Sequence, residues 1–212
     1  MLDKILGENP DLRRLQSNAA HALSRLGITA NTATFLAVAT GVLSGFAFAD
    51  KTPGMGILLL AFSAGFDALD GTIARENAQP TLLGGVSDLV ADRVVESAVI
   101  IGIAWPYSTL YLPALLLVAS WYMNITVFLA VGAAIERRGP KLIDYPPGIL
   151  ERTEALIFFA VLGAIMLIGF LRPAGPVLCY AMTALEIATG AQRFVFGWRL
   201  LSRESLGAEN PK

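Results

Sequence analysis

Asp67-x-x-Asp70-Gly71-x-x-Ala74-Arg75, followed by Gly84-x-x-x-Asp88-x-x-x-Asp92, is the stretch of this chain whose residue types and spacing suit chemistry. Asp67 and Asp70 are three residues apart and share one helix face, while Gly84, Asp88 and Asp92 step by four along one stripe of the next helix. Four carboxylates are therefore expected to converge at the ends of two otherwise apolar segments. An ionised side chain within a bilayer costs roughly 2.5 to 3.5 kcal/mol on insertion scales, so an unneutralised cluster of four is strongly disfavoured. A divalent cation is the simplest neutralising agent. Carboxylates holding Mg2+ or Mn2+ suit a phosphate ester, because the metal offsets charge on phosphate oxygens and on a developing leaving group. Gly71 and Gly84 lie about a turn or less from the acids, where a missing side chain lets a bulky nucleotide approach the backbone. Arg75 adds a fork of donors for phosphate or for orienting an acid.

The elements that must position these residues are apolar. The chain of 212 residues is 55% hydrophobic and 16% charged, with a mean hydropathy of +0.60. A soluble domain carries about 25% charged residues, so the composition indicates a membrane protein. A net charge of -1 leaves no basic face to cover phosphates in bulk, and no nucleic-acid partner is expected. Runs of bilayer length occur at Thr32 to Ala49, Gly54 to Ala74, Leu82 to Ala104, Leu110 to Ala134, Ile149 to Leu171 and Pro176 to Trp198. Lys4, Arg13, Arg14, Arg25, Arg75, Arg137, Arg138, Lys141, Arg152, Arg193, Arg199, Arg203 and Lys212 fall on one side of the resulting six-span layout, and Lys51 and Arg172 on the other. The positive-inside rule then puts both termini and the aspartates at the cytoplasmic face.

The expected fold is all-α: an integral membrane bundle of six transmembrane helices with an N-terminal amphipathic surface helix. Residues 1–26 form the juxtamembrane amphipathic segment, 27–202 the six-helix catalytic domain and 203–212 a polar tail. In the first segment leucines interleave with charge and no cleavage signal is present. Cys179 is the only cysteine, which excludes an intrachain disulfide and reads as packing. His21 reads as solvated. Gly41 and Gly45 form a G-x-x-x-G step that permits close helix approach and is weak evidence for dimerisation. Glu96 extends the acid stripe by one turn and is expected to pair with Arg93 at i, i+3, the alternative being a contact with substrate. Glu186, mid-span in the last helix, is either functional or a structural acid bonded to a neighbouring helix.

The segment Asp67-Ala-Leu-Asp70-Gly71-Thr-Ile-Ala74-Arg75, with Gly84, Asp88 and Asp92 at the spacing given above, resembles the full signature of the CDP-alcohol phosphatidyltransferase family. The six-span layout and the Ile28-Thr29-Ala30-Asn31 lead-in to the first span also resemble it, with Ala30 standing where the family usually has proline. The resemblance implies phospholipid biosynthesis. An alcohol attacks the phosphorus bearing the lipid of CDP-diacylglycerol or a related CDP-linked lipid, and CMP leaves. It further implies that Asp67, Asp70 and Asp88 bind metal, Mg2+ or Mn2+ as two ions. Asp92 would complete the second ion's shell and act as the base. Gly71, Ala74, Arg75 and Gly84, with Asn31, would contact the CDP moiety, and the family favours a homodimer.

On the acceptor side, Glu151-Arg152-Thr153-Glu154 and Gln192-Arg193 resemble the branch of the family that uses a phosphorylated inositol. Arg152 and Arg193, with Lys141, are the candidate acceptor-binding residues, and two arginines suit a phosphomonoester. Glycerol phosphate and an unphosphorylated alcohol such as serine remain alternatives. Two other classes compete. A divalent-cation transporter predicts acids spread across the membrane depth, whereas these gather at one end. A polyprenyl-type membrane transferase uses a different acid spacing and gives no reason for Gly71, Arg75 and Gly84.

Overall fold

The computed structural model describes residues 10–76, 81–136 and 152–208, and all the regular elements among them are helical. The helices are α1 (Pro10–Arg25), α2 (Ala30–Ala49), α3 (Pro53–Glu76), α4 (Leu82–Ala104), α5 (Tyr111–Glu136), α6 (Arg152–Leu167) and α7 (Ala174–Ala208). Each of the six expected apolar runs thus contains a helix. Three helical stretches, Ala30–Ala49, Pro53–Glu76 and Ser108–Ala134, are long and apolar enough to cross a bilayer.

Two corners show how the local sequence sets the path. After α1, Gly27 takes a left-handed φ of +79, its N–H bonds to Ser24 O, and Ile28 N–H reaches back to Leu23 O at 3.1 Å. This pair of bonds closes the helix in a Schellman motif, and Gly27 adopts the required φ without a Cβ penalty. Thr29 then caps α2, its hydroxyl accepting from Thr32 N–H at 3.2 Å. At the other end of α2, Lys51 takes φ 59, Thr52 N–H bonds to Ala47 O, and Pro53 starts α3. The chain therefore reverses within a few residues at each place.

Packing between α2, α3 and α4 rests on small residues. A Cβ on Gly41 would sit 2.6 Å from Val95 Cγ1, and one on Gly45 would press into the backbone at Ala98. Gly102 faces the Gly45 carbonyl so closely that no side chain fits there. The G-x-x-x-G step thus serves contact within the chain, between α2 and α4. Hydroxyls tie α2 to α3: Ser44 Oγ donates to Gly56 O at 2.7 Å, and Ser63 Oγ to Ala37 O at 2.7 Å. α5 lies along α7, where Gly197 admits Val131 and Gly190 faces Asn124. Phe159, Leu162, Leu117, Val99, Ile100 and Ile103 are fully or almost fully buried in the core that joins the helices. Cys179 is fully buried among them, as packing requires.

Large apolar side chains also cover the outside. Phe35, Phe46, Phe62, Leu115, Tyr122, Ile187 and Trp198 are each more than half exposed, a surface suited to lipid. The turns between α4 and α5 and between α6 and α7 meet at one end, where the Arg172 guanidinium lies 5.3 Å from the Tyr107 ring centroid. The start of α2, the end of α3 and the start of α4 meet at the opposite end. There α1 docks: Ala20 and Leu23 pack with Ala33 and Ile73, and Ser17 Oγ donates to Glu76 Oε1 at 2.6 Å. His21 is largely exposed, but its Nδ1 lies 3.0 Å from Glu76 Oε2, so it is an ion-pair partner of α3 when protonated and not simply solvated.

Candidate active site

The end of the bundle that carries α1 also carries the acids. Asp67 and Asp70 come from the last turns of α3, and Asp88 from the second turn of α4. Each of the three offers a carboxylate oxygen within 4.8 Å of the other two. Thr34, on α2, joins the group through its hydroxyl, which lies 2.6 Å from Asp70 Oδ2 and donates to it. Asp70 is buried, at 7% exposure. Three buried or half-buried like charges held this close repel one another, and an all-oxygen donor set is what a hard divalent cation binds. The residues present therefore fit Mg2+ or Mn2+.

Asp92 is not a member of that mutually close trio, though it interacts electrostatically with Asp88 and Asp70. One step of four residues carries it about 6 Å further along α4 and rotates it by about 40°. It lines a small inner cavity of about 20 Å³ instead, together with Asp67, Glu96, Ser63, Val38 and Phe159. Asp67 is the residue common to both: a member of the trio and a wall of the inner cavity. The four acids thus form a line from the bundle end inward, with three gathered and the fourth one turn deeper.

On the outer side, Asp70 and Asp88 border a cavity of about 240 Å³ that Asn31, Thr34, Gly71, Ala74, Arg75 and Gly84 also line. All five residues expected to contact the CDP moiety are in this one place. Arg75 Nη2 donates to Thr72 Oγ1 at 3.2 Å, and a Cβ on Gly71 would lie 3.3 Å from Arg75 Nη1, so the bare glycine leaves the guanidinium its position. At Gly84 the backbone N–H is taken by the Thr81 hydroxyl, the cap of α4. Beyond Thr34 and Gly84 the outer cavity continues into an apolar groove of about 530 Å³ between α2 and α4, walled by Phe35, Val38, Leu83, Val86, Val90 and Val94. A polar, acid-lined chamber open to an apolar groove matches a ligand with a charged head and a greasy tail.

Glu96 pairs with Arg93 as the spacing indicates, through two contacts of 2.8 Å each, Arg93 Nη1 to Oε2 and Nη2 to Oε1. Arg193, on α7, donates through Nη1 to Asn124 Oδ1 at 2.8 Å, and its guanidinium carbon lies 5.2 Å from the Phe128 ring centroid. The outer chamber and the inner cavity are both walled by other residues. Arg152 opens α6, but its side chain lies outside what is described, as does all of Lys141, so the expectation that Arg152 and Arg193 face one cavity falls partly outside the described residues. The sequence alone does not single out Thr34 or Asn124. A lone amide in an apolar helix, Asn124, is the one of these that carried a signal.

Comparison with known proteins agrees with this arrangement. The family profile described as CDP-alcohol phosphatidyltransferase matches residues 27–192. The chain is 30% identical to the phosphatidylinositol phosphate synthase of Mycobacterium marinum over 192 residues, covering 87% of this chain and 80% of that protein. It is 33% identical to the archaetidylinositol phosphate synthase of Methanothermobacter thermautotrophicus over 173 residues, 80% of this chain and 82% of the relative. Its fold is shared with a crystal structure of Mycobacterium tuberculosis phosphatidylinositol phosphate synthase with CDP-DAG bound, at a TM-score of 0.74 and 24% identity, over 87% of this chain and 94% of the other. The same mycobacterial protein in complex with manganese and citrate gives a TM-score of 0.73, again at 24% identity, over 86% of this chain and 88% of that one.

Proposed function

The chain belongs to the CDP-alcohol phosphatidyltransferase family, and from that premise we propose that it moves the phosphatidyl group of a CDP-linked lipid such as CDP-diacylglycerol onto a phosphorylated polyol, releasing CMP. The observation that carries this is the trio Asp67, Asp70 and Asp88 at the mouth of a chamber lined by Asn31, Gly71, Ala74, Arg75 and Gly84. The relatives named for inositol phosphate products favour inositol phosphate as the acceptor over glycerol phosphate.

In this reading the chamber holds the cytidine diphosphate and the apolar groove between α2 and α4 takes a lipid chain. Arg75 donates to the diphosphate, and Gly71 and Gly84 let it lie against the backbone. Mg2+ or Mn2+, as a pair of ions held by Asp67, Asp70 and Asp88 with Asp92 contributing to the second, supplies charge neutralisation at the phosphates and at the departing CMP. Asp92, in the inner cavity, takes the proton of the acceptor hydroxyl as that oxygen bonds to the lipid-bearing phosphorus and the bond to CMP breaks. The acceptor thus approaches from the inner side and the donor from the outer, and Asp67 lies between them. Arg193, with Arg152 and Lys141, binds the acceptor's phosphomonoester.

The six helices α2 to α7 span the membrane, and α1 lies as an amphipathic helix at the cytoplasmic surface, within a juxtamembrane segment of residues 1–26. Residues 27–202 are the catalytic domain and 203–212 a polar tail. Both termini and the active site face the cytoplasm, and the protein acts as a homodimer. The test is direct. Purified protein receives CDP-diacylglycerol and a panel of inositol phosphate, glycerol phosphate, inositol and serine, and CMP release is measured with and without EDTA, with the lipid products identified by mass spectrometry. Metal-dependent CMP release with a phosphorylated acceptor is expected. Metal flux across proteoliposomes without CMP would point to a transporter and overturn the reading.

A further inference from the structure

The interface of α5 and α7 contains a chain of side-chain hydrogen bonds that ends on Arg193, and its other members have no part in the reaction scheme. Trp121 Nε1 donates to Glu186 Oε1 at 3.1 Å, Asn124 Nδ2 donates to Glu186 Oε2 at 2.5 Å, and Arg193 Nη1 donates to Asn124 Oδ1 at 2.8 Å. Trp121, Asn124 and Glu186 are all buried, at 5 to 8% exposure. Gly190 of α7 faces Asn124 at this level, where a Cβ would lie 3.6 Å from the Asn124 Cα, an ordinary contact distance. Glu186 also interacts electrostatically with Arg93 and Glu96, and Glu96 with Asp92, so the network backs onto the acid stripe of α4.

The order of donors and acceptors in this chain is forced. A carboxylate only accepts, so Asn124 must turn its amide nitrogen to Glu186 and, with that, its carbonyl oxygen to Arg193. A guanidinium only donates, so that carbonyl is the group it needs. Trp121 occupies the other oxygen of Glu186 and prevents the carboxylate from turning away. We infer that Glu186 is a positioning residue for the acceptor site: through Asn124 it fixes the orientation of the Arg193 guanidinium that receives the acceptor's phosphomonoester. This rests on the phosphorylated-acceptor reading above.

Glu186→Gln keeps the shape and breaks the order. A glutamine has one accepting and one donating end, so with Trp121 on its oxygen it turns N–H groups toward Asn124. The asparagine must then flip and present its own N–H groups to Arg193. Asn124→Asp alone places a second carboxylate against Glu186. The double variant E186Q/N124D restores an alternating order, from Trp121 to the glutamine oxygen and from the glutamine nitrogen to an aspartate that also accepts from Arg193, with one negative charge as in the wild type.

The experiment measures KM for inositol phosphate and for CDP-diacylglycerol in the wild type, both single variants and the double variant, in detergent-purified protein that still binds the CDP-lipid. E186Q is expected to raise the acceptor KM about tenfold to a hundredfold, with little change in the donor KM, as loss of a hydrogen bond to a charged group predicts. The double variant is expected to regain most of that loss. An unchanged acceptor KM in E186Q, while the wild type uses a phosphorylated acceptor, overturns this inference and leaves the proposed function standing. So does a double variant that binds CDP-lipid but stays as impaired as the singles. If a single variant does not fold, the double variant decides alone: a near-normal acceptor KM supports the positioning role and a high one refutes it. A wild type that uses only unphosphorylated alcohols would overturn both readings together.

Discussion

Thr34→Val probes the metal site without touching a carboxylate. Thr34 Oγ1 donates to Asp70 Oδ2 across 2.6 Å, and Asp70 is buried, so little water can replace the lost donor. Valine keeps the branched shape and removes only the hydroxyl. A hydrogen bond to an ionised group contributes about 1.5 to 3 kcal/mol, which at 1.36 kcal/mol per decade is about tenfold to a hundredfold. That is also the range found when the hydrogen-bond partner of a metal ligand is removed. The half-saturating Mn2+ concentration for CMP release should rise by this factor, and Mn2+ binding followed by electron paramagnetic resonance in the absence of substrate should weaken in parallel. The rate at saturating metal should stay near that of the wild type. An Mn2+ titration superimposable on the wild type's would show that Asp70 does not depend on Thr34 for its orientation as a ligand, and the reasoning would fail.

Asp92→Asn should abolish turnover while CDP-diacylglycerol binding, measured by equilibrium binding of labelled lipid, persists; near-normal turnover would remove Asp92 from the role of base. Gly71→Ala should displace the Arg75 guanidinium by a few tenths of an ångström, raising the CDP-lipid KM by roughly threefold to tenfold with the acceptor KM unchanged. Gly102→Ala should force α2 and α4 apart at the Gly45 carbonyl, an overpacking cost of about 1 to 3 kcal/mol, and lower the midpoint of thermal unfolding in detergent by about 2 °C or more; an unaltered midpoint would mean the two backbones are not in contact there.

What could be read from the sequence follows from which distances are local. Asp67 and Asp70 share a turn, so their common face needs no tertiary information, and the short link from Glu76 to Thr81 keeps the start of α4 near the end of α3, although α4 then packs along α2. Of the four acids expected to converge, Asp67, Asp70 and Asp88 form the mutually close trio, while a step of four along α4 also climbs about one turn and places Asp92 with Asp67 and Glu96 on the inner cavity. Thr34 is invisible from sequence for a different reason: threonines are common in apolar helices and usually bond back to their own helix, as Thr40 does to Leu36 O and Thr34 itself does to Ala30 O, and only the crossing of α2 over α3 adds the shorter bond to Asp70. Gly41 and Gly45 announce a close helix contact but not which helix makes it, and here the partner is α4 of the same chain.

Glu186 and Arg193 are seven residues apart, so their shared face was legible, but the Asn124 that joins them lies 62 positions earlier than Glu186 on another helix. The shared faces of Asp67 with Asp70 and of Asp88 with Asp92 are therefore set by local spacing, while the guanidinium proposed to read the acceptor is held by long-range contacts between α5 and α7. A family built this way can keep its donor signature fixed and change its acceptor by altering only how those two helices meet, which predicts that exchanging residues at the Asn124, Glu186 and Arg193 positions alters acceptor choice and leaves CDP-lipid recognition alone.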